Sequence, residues 1–179
     1  NKYFFAIITG RTTINKIVNF DEIDSVGKRT TRPVNVSGVL DLNGDINLGL
    51  PVRFLKGSVN FGINGYYSKT AQFINGAKND INSVNLGPEV RIHMAPTDKF
   101  DMAFTAGYNY NSSKYSLASA NNTKFFTQTY SADVNWQLPG QFFLSTEFTY
   151  TINTNRAQDF NTSVPLWNAS ISKMFLRYN

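Results

Sequence analysis

The stretch Gln141-Phe-Phe-Leu-Ser-Thr-Glu-Phe-Thr-Tyr-Thr-Ile-Asn153 decides the class of fold. Its even positions are Phe142, Leu144, Thr146, Phe148, Tyr150 and Ile152. The odd positions after Phe143 are Ser145, Glu147, Thr149, Thr151 and Asn153. Successive side chains of a strand point to opposite faces, so a period of two makes one face apolar and the other polar. A helix would instead repeat its apolar residues three and four apart. No part of the chain shows that spacing convincingly.

The same alternation recurs on both sides of this segment. Val34–Leu50 sets Val34, Val36, Leu40, Leu42, Ile46, Leu48 and Leu50 against Asn35, Ser37, Asp41, Asn43, Asp45 and Asn47. Ser58–Ser68, Val84–Met94, Asp101–Asn111 and Phe126–Leu138 follow suit, with noisier strands at Lys2–Val18 and Ser163–Leu176. The reading is eight strands, all-β. Pro88 lies within one of them, where its missing N–H calls for a bulge or a local break.

Strand length and connections narrow the class. Soluble strands average about five or six residues, whereas a strand crossing a bilayer at a tilt near 45° takes about 9–11. Connections alternate in length: long at Asn19–Pro33, short at Pro51–Lys56, long at Lys69–Asn82, short at Ala95–Lys99, long at Ser112–Lys124. The short Pro139-Gly140 turn and a longer loop at Thr154–Thr162 complete the series. This is the pattern of an antiparallel up-and-down transmembrane β-barrel, with short turns at one end and long loops at the other. Periodicity alone does not say which face looks inward; a soluble barrel would put the hydrophobes inside. Aromatics near both strand ends fit interfacial girdles: Trp136, Phe142, Phe143 and Phe54 at the short-turn end, Tyr66, Tyr67, Tyr108, Tyr110 and Tyr150 at the other.

Composition excludes several classes. The 179 residues include 15 Phe, 9 Tyr and 2 Trp but only 16% charged residues, the reverse of a disordered chain. No cysteine means no disulfide and no thiolate metal site. One histidine, His93, argues against a zinc site or a His-based triad. The longest apolar run, Tyr3–Ile8, is far short of the roughly 18 residues a membrane-spanning helix needs. The net charge of +5 is scattered through Lys28, Arg29, Arg32, Lys56, Lys69, Lys78, Lys99, Lys114 and Lys124. Nucleic-acid surfaces concentrate such charge, so no nucleic-acid partner is expected. No basic-then-apolar leader opens the chain, which reads as a mature form or a fragment.

Several short motifs carry a family resemblance. They include Asn15-Lys-Ile-Val-Asn19, Thr31-Arg-Pro-Val-Asn35, Phe73-Ile-Asn-Gly76, Ser83-Val-Asn-Leu-Gly-Pro88 and Lys99-Phe-Asp101. Ser113-Lys-Tyr115, Asn135-Trp-Gln-Leu-Pro139 and the longest match, Ser163-Val-Pro-Leu-Trp-Asn-Ala-Ser-Ile-Ser-Lys-Met-Phe-Leu176, complete the set. Together they resemble the barrel region of Bacteroidetes-type TonB-dependent outer-membrane receptors. The resemblance implies a barrel of about 22 strands around a plug domain, importing a scarce solute with energy from TonB. Residues 1–179 would form one barrel segment, an arc of that wall, without the plug or a TonB-contacting segment. The alternative is a small barrel closed at eight strands, with a structural or binding role.

Candidate site residues follow from the polar faces. Asp41, Asp45, Glu89, Arg91, His93, Asp133 and Glu147 read as lumen-facing ions. Glu89, Arg91 and His93, two residues apart on one face, could also be an acid/base set. Asp21, Glu22 and Asp24 form an acidic patch that could hold calcium through oxygens, although no EF-type ligand spacing accompanies it. With no nucleophile elbow, P-loop or dinucleotide fingerprint, neither catalysis nor a cofactor is expected.

Overall fold

The computed structural model describes residues 2–117, 119–155 and 160–175. They form one ten-stranded sheet: β1 Tyr3–Thr13, β2 Lys16–Ile23, β3 Arg29–Val36, β4 Val39–Val52, β5 Gly57–Ile74, β6 Ala77–Thr97, β7 Phe100–Tyr115, β8 Thr123–Leu138, β9 Phe142–Thr154 and β10 Thr162–Lys173. Two single 3-10 turns, Arg53–Leu55 and Ser119–Asn121, are the only helical pieces among the described residues.

Eight strands lie in the order β1-β4-β5-β6-β7-β8-β9-β10, antiparallel at every step. From β4 onward this is a meander in chain order. The remaining two strands are a hairpin inserted between β1 and β4. There the sequence reading placed a long loop, Asn19–Pro33, and so found eight strands where there are ten. The hairpin hides in sequence because Asp21, Glu22, Arg29 and Arg32 interrupt its alternation. β2 leans across to lie parallel to the far end of β5, with Phe20 opposite Phe73. The two rings stack at 5.6 Å. Val36, Val39 and Ala71, with Val18 against them, fill the corner where β2 takes over from β4 beside β5.

A second correction concerns Lys69–Asn82. It is strand almost throughout, not a loop. β5 and β6 run to 18 and 21 residues and meet at the two-residue turn Asn75-Gly76. Both turn residues have positive φ, 49° and 81°. This is the twist a two-residue hairpin needs, and Asn-Gly accepts it with little strain. The asymmetry between the two ends therefore survives in another form. One end carries short links at 53–56, 98–99 and 139–141. The other carries the β2–β3 hairpin, the β5–β6 extension and the longer links.

Pro88 does not bulge its strand. Its register with β5 is continuous, but the ladder to β7 is interrupted at Gly87 and Pro88, which is the local break expected of a residue without an N–H. The register shift falls instead between Met94 and Thr97, where Pro96 also lacks a donor. At the C-terminal end the expected strand reached Leu176; β10 ends at Lys173, and Leu176 lies outside the described residues.

Candidate functional site

Register fixes the faces of the whole sheet, because residues directly opposite in an antiparallel pair project to the same side. Leu48 aligns with Phe61, Phe61 with Val90, Val90 with Ala106, Ala106 with Tyr130, and Tyr130 with Tyr150. The apolar alternation of β4 to β9 thus joins into one apolar face; at the two outer strands Tyr3, Phe5 and Ile7 of β1 and Val164 and Leu166 of β10 lie on the opposite face. The large side chains of the apolar face are exposed, among them Ile46, Phe61, Ile63, Leu86, Phe104, Phe148 and Trp167.

The opposite face holds all seven residues singled out from sequence. His93, Ala103, Asp133 and Glu147 make one row across β6 to β9. Arg91 and Glu89 begin the next two rows. Asp45 lies in the row of Asn64 and Gly87, and Asp41 in that of Ser68 and Ser83. The residues share a face but do not converge on a point. His93 bonds Asp101 through Nε2. Arg91 donates to Thr105 at 3.3 Å. Glu89 reaches over Gly107. His93 and Arg91 thus take different partners, and no hydrogen bond joins Glu89, Arg91 and His93 to one another. Ser58 lies opposite His93, but its hydroxyl accepts from Asn60 at 3.3 Å and no hydrogen bond joins it to the imidazole.

Asp133 and Glu147 stand directly opposite one another, with no ion pair to either among the described residues. Like charges in that position repel, and only water or a mobile counterion relieves them. Among the described residues, no group of three or more His, Asp or Glu could hold a metal ion. The acidic patch of the hairpin is also divided. Asp21 accepts from Arg29 at 2.5 Å and from Thr31 at 2.6 Å. Asp24 accepts from the backbone N–H groups of Val26 and Lys28. Glu22 reaches Arg32 at 4.0 Å. The Arg29 guanidinium, seconded by the Thr31 hydroxyl, holds the Asp21 carboxyl below the usual carboxylate range and raises Arg29 in turn.

Between the charges lies an amide lattice that the sequence reading overlooked. Asn85 donates to Asn109 at 2.9 Å and to Asn111 at 2.7 Å. Thr127 donates to Asn153 at 2.9 Å, and Asp45 accepts from Asn47. Thr9, Asn43, Asp45, Asn64, Tyr66 and Asn85 line a shallow groove of about 380 Å³. Tyr66 belongs to this face, donating to Asp41 at 3.0 Å, and not to an aromatic girdle. The signal was present, since Tyr66 and Tyr67 are adjacent and one strand cannot point both the same way.

Glycines on the polar face lie under side chains of the preceding strand in the sheet. Asn47 covers Gly62, with Oδ1 3.1 Å from where a Cβ would be, and Asn64 covers Gly87 at 2.6 Å. Ala103 is 2% exposed on this face while its neighbour Phe104 on the other is 42% exposed.

No family model, curated protein or solved structure matches the chain.

Proposed function

We propose that this sheet is wall of an outer-membrane transport barrel, its apolar face toward lipid and its polar face toward a wet lumen. One observation carries the reading. On the apolar face, across all eight strands of the path, there is no charged side chain between Lys69, Lys114 and Lys124 near one end and Lys173 at the other. A soluble sheet has no reason to exclude charge from an exposed face, whereas hydrocarbon makes each midplane cation cost about 2–4 kcal/mol. On β7 the apolar part of this face runs from Phe100 to Tyr110, eleven residues, before Ser112 and Lys114. At roughly 3.3 Å per residue and a tilt near 45° it stands about 25 Å tall, the height of an outer-membrane apolar band.

Further features support this orientation. Phe100 packs edge-on against Trp136 at 5.9 Å near the short turns. Tyr108 and Tyr110 pack against Phe126 at 5.6 and 5.4 Å near the far end. These are the two levels at which aromatic belts meet headgroups. Side chains leaning over glycines on the polar face favour a sheet that curls toward that side.

The wall is read as an arc of a larger barrel. In the described residues β1 pairs only with β4 and β10 only with β9. In lipid both outer edges require a partner strand, since unpaired backbone groups there cost several kcal/mol each. With the family resemblance, this favours a TonB-dependent receptor of about 22 strands, importing a scarce solute past a plug domain supplied by residues other than these. The role is transport, not catalysis.

Two measurements test the reading. Both tryptophans, Trp136 and Trp167, lie on the apolar face. Refolded into vesicles of brominated phosphatidylcholine, their fluorescence is quenched; emission quenched only by aqueous acrylamide would end the lipid assignment. For transport, Asp133→Arg with Glu147→Arg reverses the lumen row without touching lipid. Ion selectivity or solute uptake changes while insertion stays normal; unaltered transport by the inserted variant would remove the solute path.

A further inference from the structure

Above the upper aromatic belt the apolar face changes character abruptly. Lys69 on β5 aligns with Asn82 on β6, and Asn82 with Lys114 on β7. Lys124 on β8 aligns with Ser112, two residues down β7 from Lys114. All three lysines are exposed and project to the lipid-facing side. Adjacent strands are about 4.8 Å apart, so their Cα atoms lie within about 15 Å of one another. None of the three pairs with a carboxylate among the described residues. Asp80, an acid on the same face nearby, is taken by Lys78 at 2.8 Å.

The belt beneath is tied to this row. The Lys124 ammonium lies 5.7 Å from the Phe126 ring centre and 5.9 Å from that of Tyr110. Tyr67, one turn of the pleat below Lys69, donates to Asn82 Oδ1 at 3.1 Å. Below these run Val84, Leu86, Tyr108 and Phe104, each more than a third exposed. The surface is therefore cationic at the headgroup level and apolar for the length of an acyl chain beneath it. A zwitterionic lipid leaves three unpaired ammonium groups without a full counter-charge. A phosphate monoester, with close to two negative charges, supplies one.

We infer that Lys69, Lys114 and Lys124 form a docking site for a membrane lipid with a phosphate-monoester headgroup, its acyl chains lying along Val84, Leu86, Tyr108 and Phe104. The inference rests on the membrane reading above. The occupant is a lipid and not free phosphate, because the cationic row opens directly onto the exposed apolar lane.

The experiment reconstitutes the complete barrel that contains this wall in phosphatidylcholine nanodiscs containing a minor fraction of phosphatidic acid. Lipids retained after extraction into detergent are counted by native mass spectrometry. Wild type is enriched in phosphatidic acid over phosphatidylcholine, and excess inorganic phosphate does not displace it. K69Q/K114Q/K124Q inserts equally well into pure phosphatidylcholine but loses the enrichment, by about fivefold per lysine. Normal insertion with no phosphatidic acid preference, or a preference that survives the triple substitution, overturns the site and leaves the membrane reading standing. Displacement by inorganic phosphate overturns the lipid as occupant. Failure to insert into any bilayer overturns both.

Discussion

The indole N–H of Trp167 donates to Thr146 Oγ1 at 2.7 Å, and that hydroxyl in turn donates to the backbone carbonyl of Asn168 at 3.0 Å. Trp167 is 72% exposed. In water such a side chain would need no protein partner. Near the middle of an uncharged face, a relay that satisfies the indole without solvent is what the proposed lipid contact would require. The phenol of Tyr130 follows the same rule, donating to Gln128 at 2.9 Å on that face.

Thr146→Val leaves the Trp167 N–H without its acceptor. In lipid vesicles we expect a loss of about 1–2 kcal/mol by urea unfolding, and recovery of most of it when Trp167→Phe is added. A single variant indistinguishable from wild type in lipid would mean that water reaches this face.

Val134→Arg and Phe148→Arg place a cation on the apolar face of β8 and β9, and each should cost about 2–4 kcal/mol near the bilayer midplane. Glu147→Gln, on the opposite face and across from Asp133, should instead stabilise by about 0.5 kcal/mol, because it relieves a like-charge cross-strand pair. Refolding titrations into lipid compare the two; equal costs on both faces would contradict the orientation.

Gly57 and Gly44 make a matched pair of backbone tests. A Cβ on Gly57 would overlap the His93 carbonyl, a backbone atom that cannot swing away, whereas nothing lies within 4 Å of one on Gly44. Gly57→Ala should therefore lower stability by about 2 kcal/mol or more, and Gly44→Ala by less than about 0.5 kcal/mol. Urea midpoints measured side by side decide it.

Asp21 makes the docked hairpin sensitive to acid. Its carboxyl is held below the ordinary value of about 3.9 by Arg29 and then Thr31. The stabilisation is thus fully present above that ordinary value and is lost as pH falls through the depressed one. Pepsin, active in acid, should cut near the exposed Val26 turn increasingly as pH drops through this window. Asp21→Asn should be cut readily throughout it. Cleavage of wild type that does not vary with pH would show that the ion pair does not hold the hairpin.

Which residues share a side of a strand was readable from the chain alone, because the backbone pleat alternates faces locally whatever the neighbours do. That is why Asp41, Asp45, Glu89, Arg91, His93, Asp133 and Glu147 could all be assigned to polar faces before any pairing was known. Where strands end was less legible. Lys69–Asn82 carries two Lys and three Asn, which outweighed the Asn75-Gly76 turn signal although that dipeptide demands a tight hairpin. The β2–β3 hairpin was obscured because its charges satisfy each other, Asp21 with Arg29 and Glu22 with Arg32, in place of following an apolar stripe.

The sequence by itself determined that this is an alternating all-β chain with one greasy and one polar side. Only the tertiary structure decided that Asp133 faces Glu147, that Lys69, Lys114 and Lys124 line up, and that β2 reaches β5. Facing is a property of a single strand, whereas register is set by hydrogen bonds between strands distant in the chain. A slip of one residue would have turned every one of those side chains to the other side.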